Sequence, residues 1–175
     1  MIQKRLGLDS KDVKILTLYT TQPEISQTEL AQALGISQPS VNARLKKLRS
    51  RGILASTTGM DVSKTDVFMM RADLATPNPD QLLDRLKHCS FFVNGFTLSG
   101  TRNVSILIMG YSLQKMESII DTHLRQVPGV KDIQTSVVVS SAKPYVCALN
   151  LENEQHEQCQ NPTSCKDCPM HRSTP

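Results

Sequence analysis

Residues 26 to 51, SQTELAQALGISQPSVNARLKKLRSR, place two helical patterns on either side of a turn too short to let them separate. Ser26 and Glu29 have capping-box spacing, so hydroxyl and carboxylate can satisfy the first orphan amides of a helix. Leu30, Ala31 and Leu34 then form an apolar stripe, and Gly35 stands where a left-handed residue ends a helix. Ile36 fits the buried position of the turn. Ser37 predicts a second N-cap, with Pro39 in the first turn, where a missing amide costs little. Val41, Leu45 and Leu48 recur at helical spacing and must face inward. That leaves Gln38, Ser40, Asn42, Arg44, Lys46, Lys47, Arg49 and Arg51 outside the core.

Charge separates this unit from a plain helical hairpin. Residues 1 to 59 hold nine Lys/Arg against four Asp/Glu, whereas the remaining residues hold eleven against twelve. The net charge of +4 therefore resides in the N-terminal third, where a phosphate backbone would recruit it. Helix-turn-helix units place their second helix in the DNA major groove. On this reading Gln38, Ser40, Asn42 and Arg44 reach base edges, and Lys46, Lys47, Arg49 and Arg51 contact phosphates. A first helix over residues 8 to 20, capped by Asp9 or Ser10, completes a three-helix domain. The polar stretch around Gly59 is read as a short wing, and residues 61 to 66 as a linker.

The pattern changes after residue 66. VFMMRADL, FFVNGFTLS, VSILIMGY and VKDIQTSVVVSS read as strands, with DQLLDRLKHC and SLQKMESIIDTHLRQ as helices. The order βαββαβ over residues 67 to 145 is the ferredoxin-like split unit, so the fold class is α+β. Its helices cover one sheet face. The other, rich in Val, Ile and Met, needs a cover, and a second subunit is the simplest one.

At 175 residues the chain supports two small cores, and no stretch has the length of a membrane span. The N-terminus lacks the apolar run of a signal peptide, so the expectation is a soluble, cytoplasmic protein. Four of the five Cys, Cys147, Cys159, Cys165 and Cys168, fall in the polar tail 146–175. Four thiolates satisfy either an iron–sulfur cluster or tetrahedral zinc, and the Cys165/Cys168 pair alone would serve reversible oxidation. The favoured cofactor is an iron–sulfur cluster, with zinc the close alternative, and His156 or His171 can stand in for one Cys at zinc. Cys89, beside Phe91 and Phe92, reads as a small buried hydrophobe.

The two-part arrangement resembles the leucine-responsive/asparagine regulator (Lrp/AsnC) family. In the N-terminal half the resemblance rests on Leu8-Asp9, Asp12, Ile15-Leu16, Leu30-Ala31, Leu34-Gly35, Ser37, Val41, Arg44, Leu48 and Gly52-Ile53. In the second half it rests on Ser99-Gly100 and Pro128-Gly129-Val130, and it spans residues 8 to 145. It implies a DNA-binding transcription regulator whose dimers often assemble into octamers and respond to a small effector. It also implies an effector region at the turn around Gly100, with Arg102 and Asn103 in it. The family often carries an acidic residue there to hold an amino group; Arg102 in its place favours an anion. Sirohaem decarboxylases resemble the same fold and supply the enzymatic alternative, in which His123 would be a catalytic group. The basic second helix argues for the non-enzymatic reading.

Overall fold

The computed structural model describes residues 2–87, 89 and 91–148. The chain divides into two compact units, residues 1–56 and 57–175.

The first unit contains α1 (Ile2–Arg5), α2 (Ser10–Thr21), α3 (Gln27–Leu34) and α4 (Gln38–Ser50). The predicted Ser26–Glu29 capping box forms, and Asp9, one of the two predicted caps of α2, makes a second box with Asp12. Asp9 caps α2 by accepting from the Asp12 amide at 2.8 Å, and Ser26 caps α3 reciprocally with Glu29. Gly35 closes α3 at φ +61°, left-handed as expected, and the Ile36 amide reaches back to the Ala31 carbonyl at 3.1 Å. Ile15, Leu30, Val41, Leu45 and Leu48 are fully buried and make the core of this unit. Ser37 differs from expectation. Its backbone takes the N-cap conformation, but its hydroxyl lies 2.9 Å from the Ser40 hydroxyl and caps no amide.

The second unit is built on β2 (Phe68–Ala75), α5 (Pro79–Leu86), β3 (Phe92–Thr97), β4 (Val104–Gly110), α6 (Leu113–Ile120) and β5 (Lys131–Val138); they are preceded by β1 (Met60–Asp61) and followed by β6 (Val146–Cys147). The sheet runs β3-β4-β2-β5, antiparallel throughout, which is the ferredoxin-like order. Alternation along β2 and β4 sends Met70, Ala72, Leu74, Val104, Ile106 and Ile108 toward the helices. Leu82 and Leu86 from α5, and Met116 and Ile120 from α6, meet them there. After α6 the chain makes one wide π turn, Asp121–Arg125, where the sequence predicts plain helix. His123 and Leu124 are both buried within this turn.

Residues 61–66, predicted as a linker, belong to the second unit instead. β1 pairs with β6, Val62 is buried, and the Val62 amide donates to the Tyr145 carbonyl at 3.0 Å. The stretch around Gly59, read as a wing, runs into this pairing. Val62, Met109 and Cys147 form a small second core with Val67, Met69, Val93 and Tyr145. One end of the open sheet face is thus covered by the chain itself. Phe96 and Val138, whose register partners Ser105 and Met69 also point away from the helices, stay exposed on it.

A side chain at Gly59 would overlap the Cys147 carbonyl. Gly59→Ala should therefore part β1 from β6 at a cost of about 1–3 kcal/mol. Faster amide exchange at Val62, whose N–H bonds the adjoining Tyr145 carbonyl, reports that opening; unchanged protection there refutes it. Burial and the Arg85 charge hold the His123 imidazole below its ordinary 6.5. Its contribution to stability is complete above pH 6.5 and is lost as pH falls through the lowered folded value. Urea midpoints of the second unit should fall between about pH 7.5 and about pH 5, and His123→Leu should flatten that fall.

Candidate nucleic-acid interface

α4 advances about 100° per residue, so its fully buried residues Val41, Leu45 and Leu48 define one face. Gln38, Asn42, Lys46 and Arg49, all exposed, run along the border between that face and the outward side. Pro39 and Ala43, also exposed, occupy the middle of that outward side. Ser40 and Lys47 lie on its other flank, also exposed. Six of the eight sequence-predicted residues, Gln38, Ser40, Asn42, Lys46, Lys47 and Arg49, therefore share one solvent-facing surface. The reading from charge and hydrogen-bonding groups missed Ala43 because a methyl carries neither; a helical wheel finds it.

Arg44 does not join that surface as a free side chain. Its Nη1 lies 2.6 Å from Asp9 Oδ2 and 2.6 Å from Asp12 Oδ1, and the side chain is 29% exposed. The Asp12 side chain is only 5% exposed, so its negative charge needs this partner. The Asp12 amide and then the guanidinium hold the Asp9 carboxyl below its ordinary value. Asp9 and Asp12 in turn raise the Arg44 pKa. Predicted as a base contact, Arg44 is instead the clamp between α2 and α4. Arg51 is exposed and makes one backbone contact. It ends α4, and its Nη2 donates to the Leu6 carbonyl just beyond α1.

The predicted effector region lies in the second unit, at the turn joining β3 to β4. Gly100 sits at φ +138°, a conformation that side chains disfavour. Asn103 is structural: its amide donates to the Thr76 carbonyl at 2.8 Å and accepts from the Thr76 amide at 2.9 Å. Arg102 Nε donates to the Asp132 carbonyl at 3.0 Å. Ala75, Thr76, Pro77, Thr101, Asn103, Gly129 and Lys131 line a shallow cavity of about 330 Å³ beside this turn. Lys131 is the one ionisable group in that lining; sequence reasoning missed it because it lies far along the chain on β5.

Of the four tail cysteines only Cys147 lies among the described residues; Cys159, Cys165 and Cys168 fall outside them. Cys147 is buried against Val62 and Met109. Burial raises its thiol pKa, partly offset by a hydrogen bond from Tyr145. A four-thiolate site would require Cys147 to leave that packing. Among the described residues no cluster of three His, Cys, Asp or Glu is placed to hold a metal. Cys89 is half-buried, more open than the sequence suggested. His123, the group assigned by the enzymatic alternative, is 8% exposed, and its carbonyl accepts from Arg85 at 2.7 Å. It is a core residue.

Residues 8–55 match the family model described as a winged helix-turn-helix DNA-binding domain. The chain is 28% identical over 146 residues to the transcriptional regulator AzlB of Bacillus subtilis, covering 78% of this chain and 91% of AzlB. It is 23% identical over 140 residues to the regulator LrpA of Pyrococcus horikoshii, covering 78% of this chain and 99% of LrpA. The solved structure of E. coli AsnC superposes with a TM-score of 0.66 at 16% identity, covering 78% of this chain and 97% of AsnC. The fold is that of the Lrp/AsnC regulators. In this Lrp/AsnC fold the helix-turn-helix is the first unit and the four-stranded sheet the second. Among the described residues no helix is long and apolar enough to cross a membrane.

Removing the clamp separates its two readings. Arg44→Met leaves Asp12 buried without its partner and should destabilise the first unit by about 1–3 kcal/mol in denaturant unfolding. If stability is unchanged while recognition at one base pair is lost, Arg44 is a base contact after all.

Proposed function

We propose that this protein is a transcription regulator that binds double-stranded DNA through α4. The observation that carries the reading is the single exposed surface of α4, where amides and free cations share the outward side while its apolar stripe is fully buried. Lys46, Lys47 and Arg49 neutralise phosphates, and the N-terminal turns of α4 meet base edges. The similarity to AzlB and LrpA, both named as transcriptional regulators, supports the same reading.

The second unit supplies assembly and control. The uncovered part of the open sheet face, with Phe96 and Val138 exposed, is the surface for a second copy, and dimers of this kind are the unit that larger assemblies repeat. Two copies present two α4 helices, matching a pseudo-palindromic site. The cavity beside Gly100, with Lys131 in its lining and Arg102 on the adjoining turn, is the effector site, and its positive charge suits an anionic ligand. Cys159, Cys165 and Cys168, with His156 or His171 as fourth ligand, are the remaining donors for a metal on the tail. This reading leaves Cys147 in its packed position.

The DNA reading is tested by the salt dependence of duplex binding. Each phosphate contact contributes about 0.9 to the slope of log K against log salt. Lys47→Glu should weaken binding to all duplexes alike and reduce that slope by about one. A slope identical to the unsubstituted protein's removes Lys47 from the interface. The absence of any salt-dependent duplex binding by the full chain removes the DNA-binding function itself.

A further inference from the structure

We infer that α4 selects A·T base pairs, with Gln38 and Asn42 reading adenine edges and Ala43 packing on a thymine methyl. The inference rests on the proposed DNA-binding function and names the sequence class that α4 takes.

Recognition helices address bases chiefly with the residues of their N-terminal turns. In the first two turns of α4 the exposed side chains are Gln38, Pro39, Ser40, Asn42 and Ala43. None is charged. The one cation in these turns, Arg44, has its guanidinium held at 2.6 Å by two carboxylates and lies on the flank facing α2. The next free cations are Lys46 and Lys47, and Lys46 stands about 12 Å along the helix axis from Gln38. Guanine is read in the major groove mainly by a bidentate Arg or Lys, because O6 and N7 are both acceptors. The base-reading turns of α4 therefore lack the group that guanine calls for.

What they offer instead fits adenine. Adenine presents N7 as acceptor and N6 as donor, and a carboxamide supplies one donor and one acceptor in the same plane. Against guanine the amide oxygen would face the O6 acceptor unpaired. Gln38 and Asn42 lie one helical turn apart on one flank, exposed, and make no side-chain hydrogen bond to any described residue. Their separation of about 6 Å along the axis spans about two base-pair steps. Between that flank and Lys47, Pro39 and Ala43 present apolar surface where a hydroxyl or charge would be the soluble choice. The thymine C5 methyl is the major-groove group that complements it. Ser40 adds no discrimination: hydroxyls pair with either kind of base, and this one already sits against the Ser37 hydroxyl.

The test selects half-sites for the full-length chain from a randomised duplex library. Modified bases are then placed at the selected positions. The expected half-site holds adenines two or three base pairs apart with a thymine beside them. Replacing the contacted adenine by 7-deazaadenine, which lacks the N7 acceptor, should weaken binding about tenfold, and uracil in place of thymine should weaken it by a smaller factor. Gln38→Ala and Asn42→Ala should each level the preference at one position and leave the salt slope unchanged. Both residues are exposed, and an unchanged far-ultraviolet circular dichroism spectrum confirms that each variant is folded. Selection of G·C at the contacted positions overturns the inference, as does weakening by 7-deazaguanine and not by 7-deazaadenine. Salt-dependent binding with no base preference also overturns it while leaving the DNA-binding function standing. No duplex binding at any salt concentration overturns both.

Discussion

The contact of Arg44 with Asp9 and Asp12 joins the local structure of the first unit to its surface chemistry. Asp9 and Asp12 are first a capping box, positioned by the backbone at the start of α2. Their remaining oxygens face α4, and the guanidinium that meets them orients α4 on the apolar core beneath. The same contact decides what the outward side of α4 can say to a ligand. It withdraws the strongest guanine-reading group from the N-terminal turns and leaves amides and a methyl there. Stability and specificity are thus set by one side chain that serves the first and is thereby denied to the second.

The second unit meets a different constraint, the two-sidedness of its sheet. α5 and α6 bury one face, and the period-two alternation of β2 and β4 guarantees a second face that the helices cannot reach. The chain covers part of that face itself, by pairing β1 with β6 over Met109 and Met69. The pairing demands glycine at position 59, where backbone approaches backbone too closely for a side chain. It is not purely apolar ground: Asp73 accepts from Ser105 at 2.6 Å and pairs with Arg71 at 3.0 Å in the middle of the same face. Polar groups flanked by exposed Phe96 and Val138 suit an interface that must fix register as well as bury area.

Much of this architecture was legible along the chain. The Ser26–Glu29 capping box, the left-handed Gly35 and the apolar stripes of α3 and α4 depend on residues a few positions apart, so their partners can be counted off directly. The βαββαβ order is similarly written in alternating periods. The failures share the opposite property. Residues 61–66 look like a linker because their polar content is local, whereas their hydrogen-bond partner Tyr145 is more than eighty residues away. The His123 turn was read as plain helix because the packing that keeps His123 and Leu124 both inside comes from other elements. Lys131 entered the candidate effector cavity through sheet register, and Asn103, which lines the same cavity, is oriented there by its two hydrogen bonds with Thr76.

By itself, then, the sequence determined which segments are helix or strand, which faces are apolar, and that positive charge gathers on one short helix. Those properties arise from backbone propensity and from solvent's rejection of apolar surface, and both act over a few residues. Tertiary structure alone decided which of the gathered charges are free. Arg44 and Arg51 are indistinguishable from Lys46 and Arg49 in a linear reading of charge. Only the arrival of Asp9, Asp12 and the Leu6 carbonyl, each more than thirty residues away in the chain, pairs Arg44 with two carboxylates, gives Arg51 a backbone partner, and leaves the others to meet a ligand.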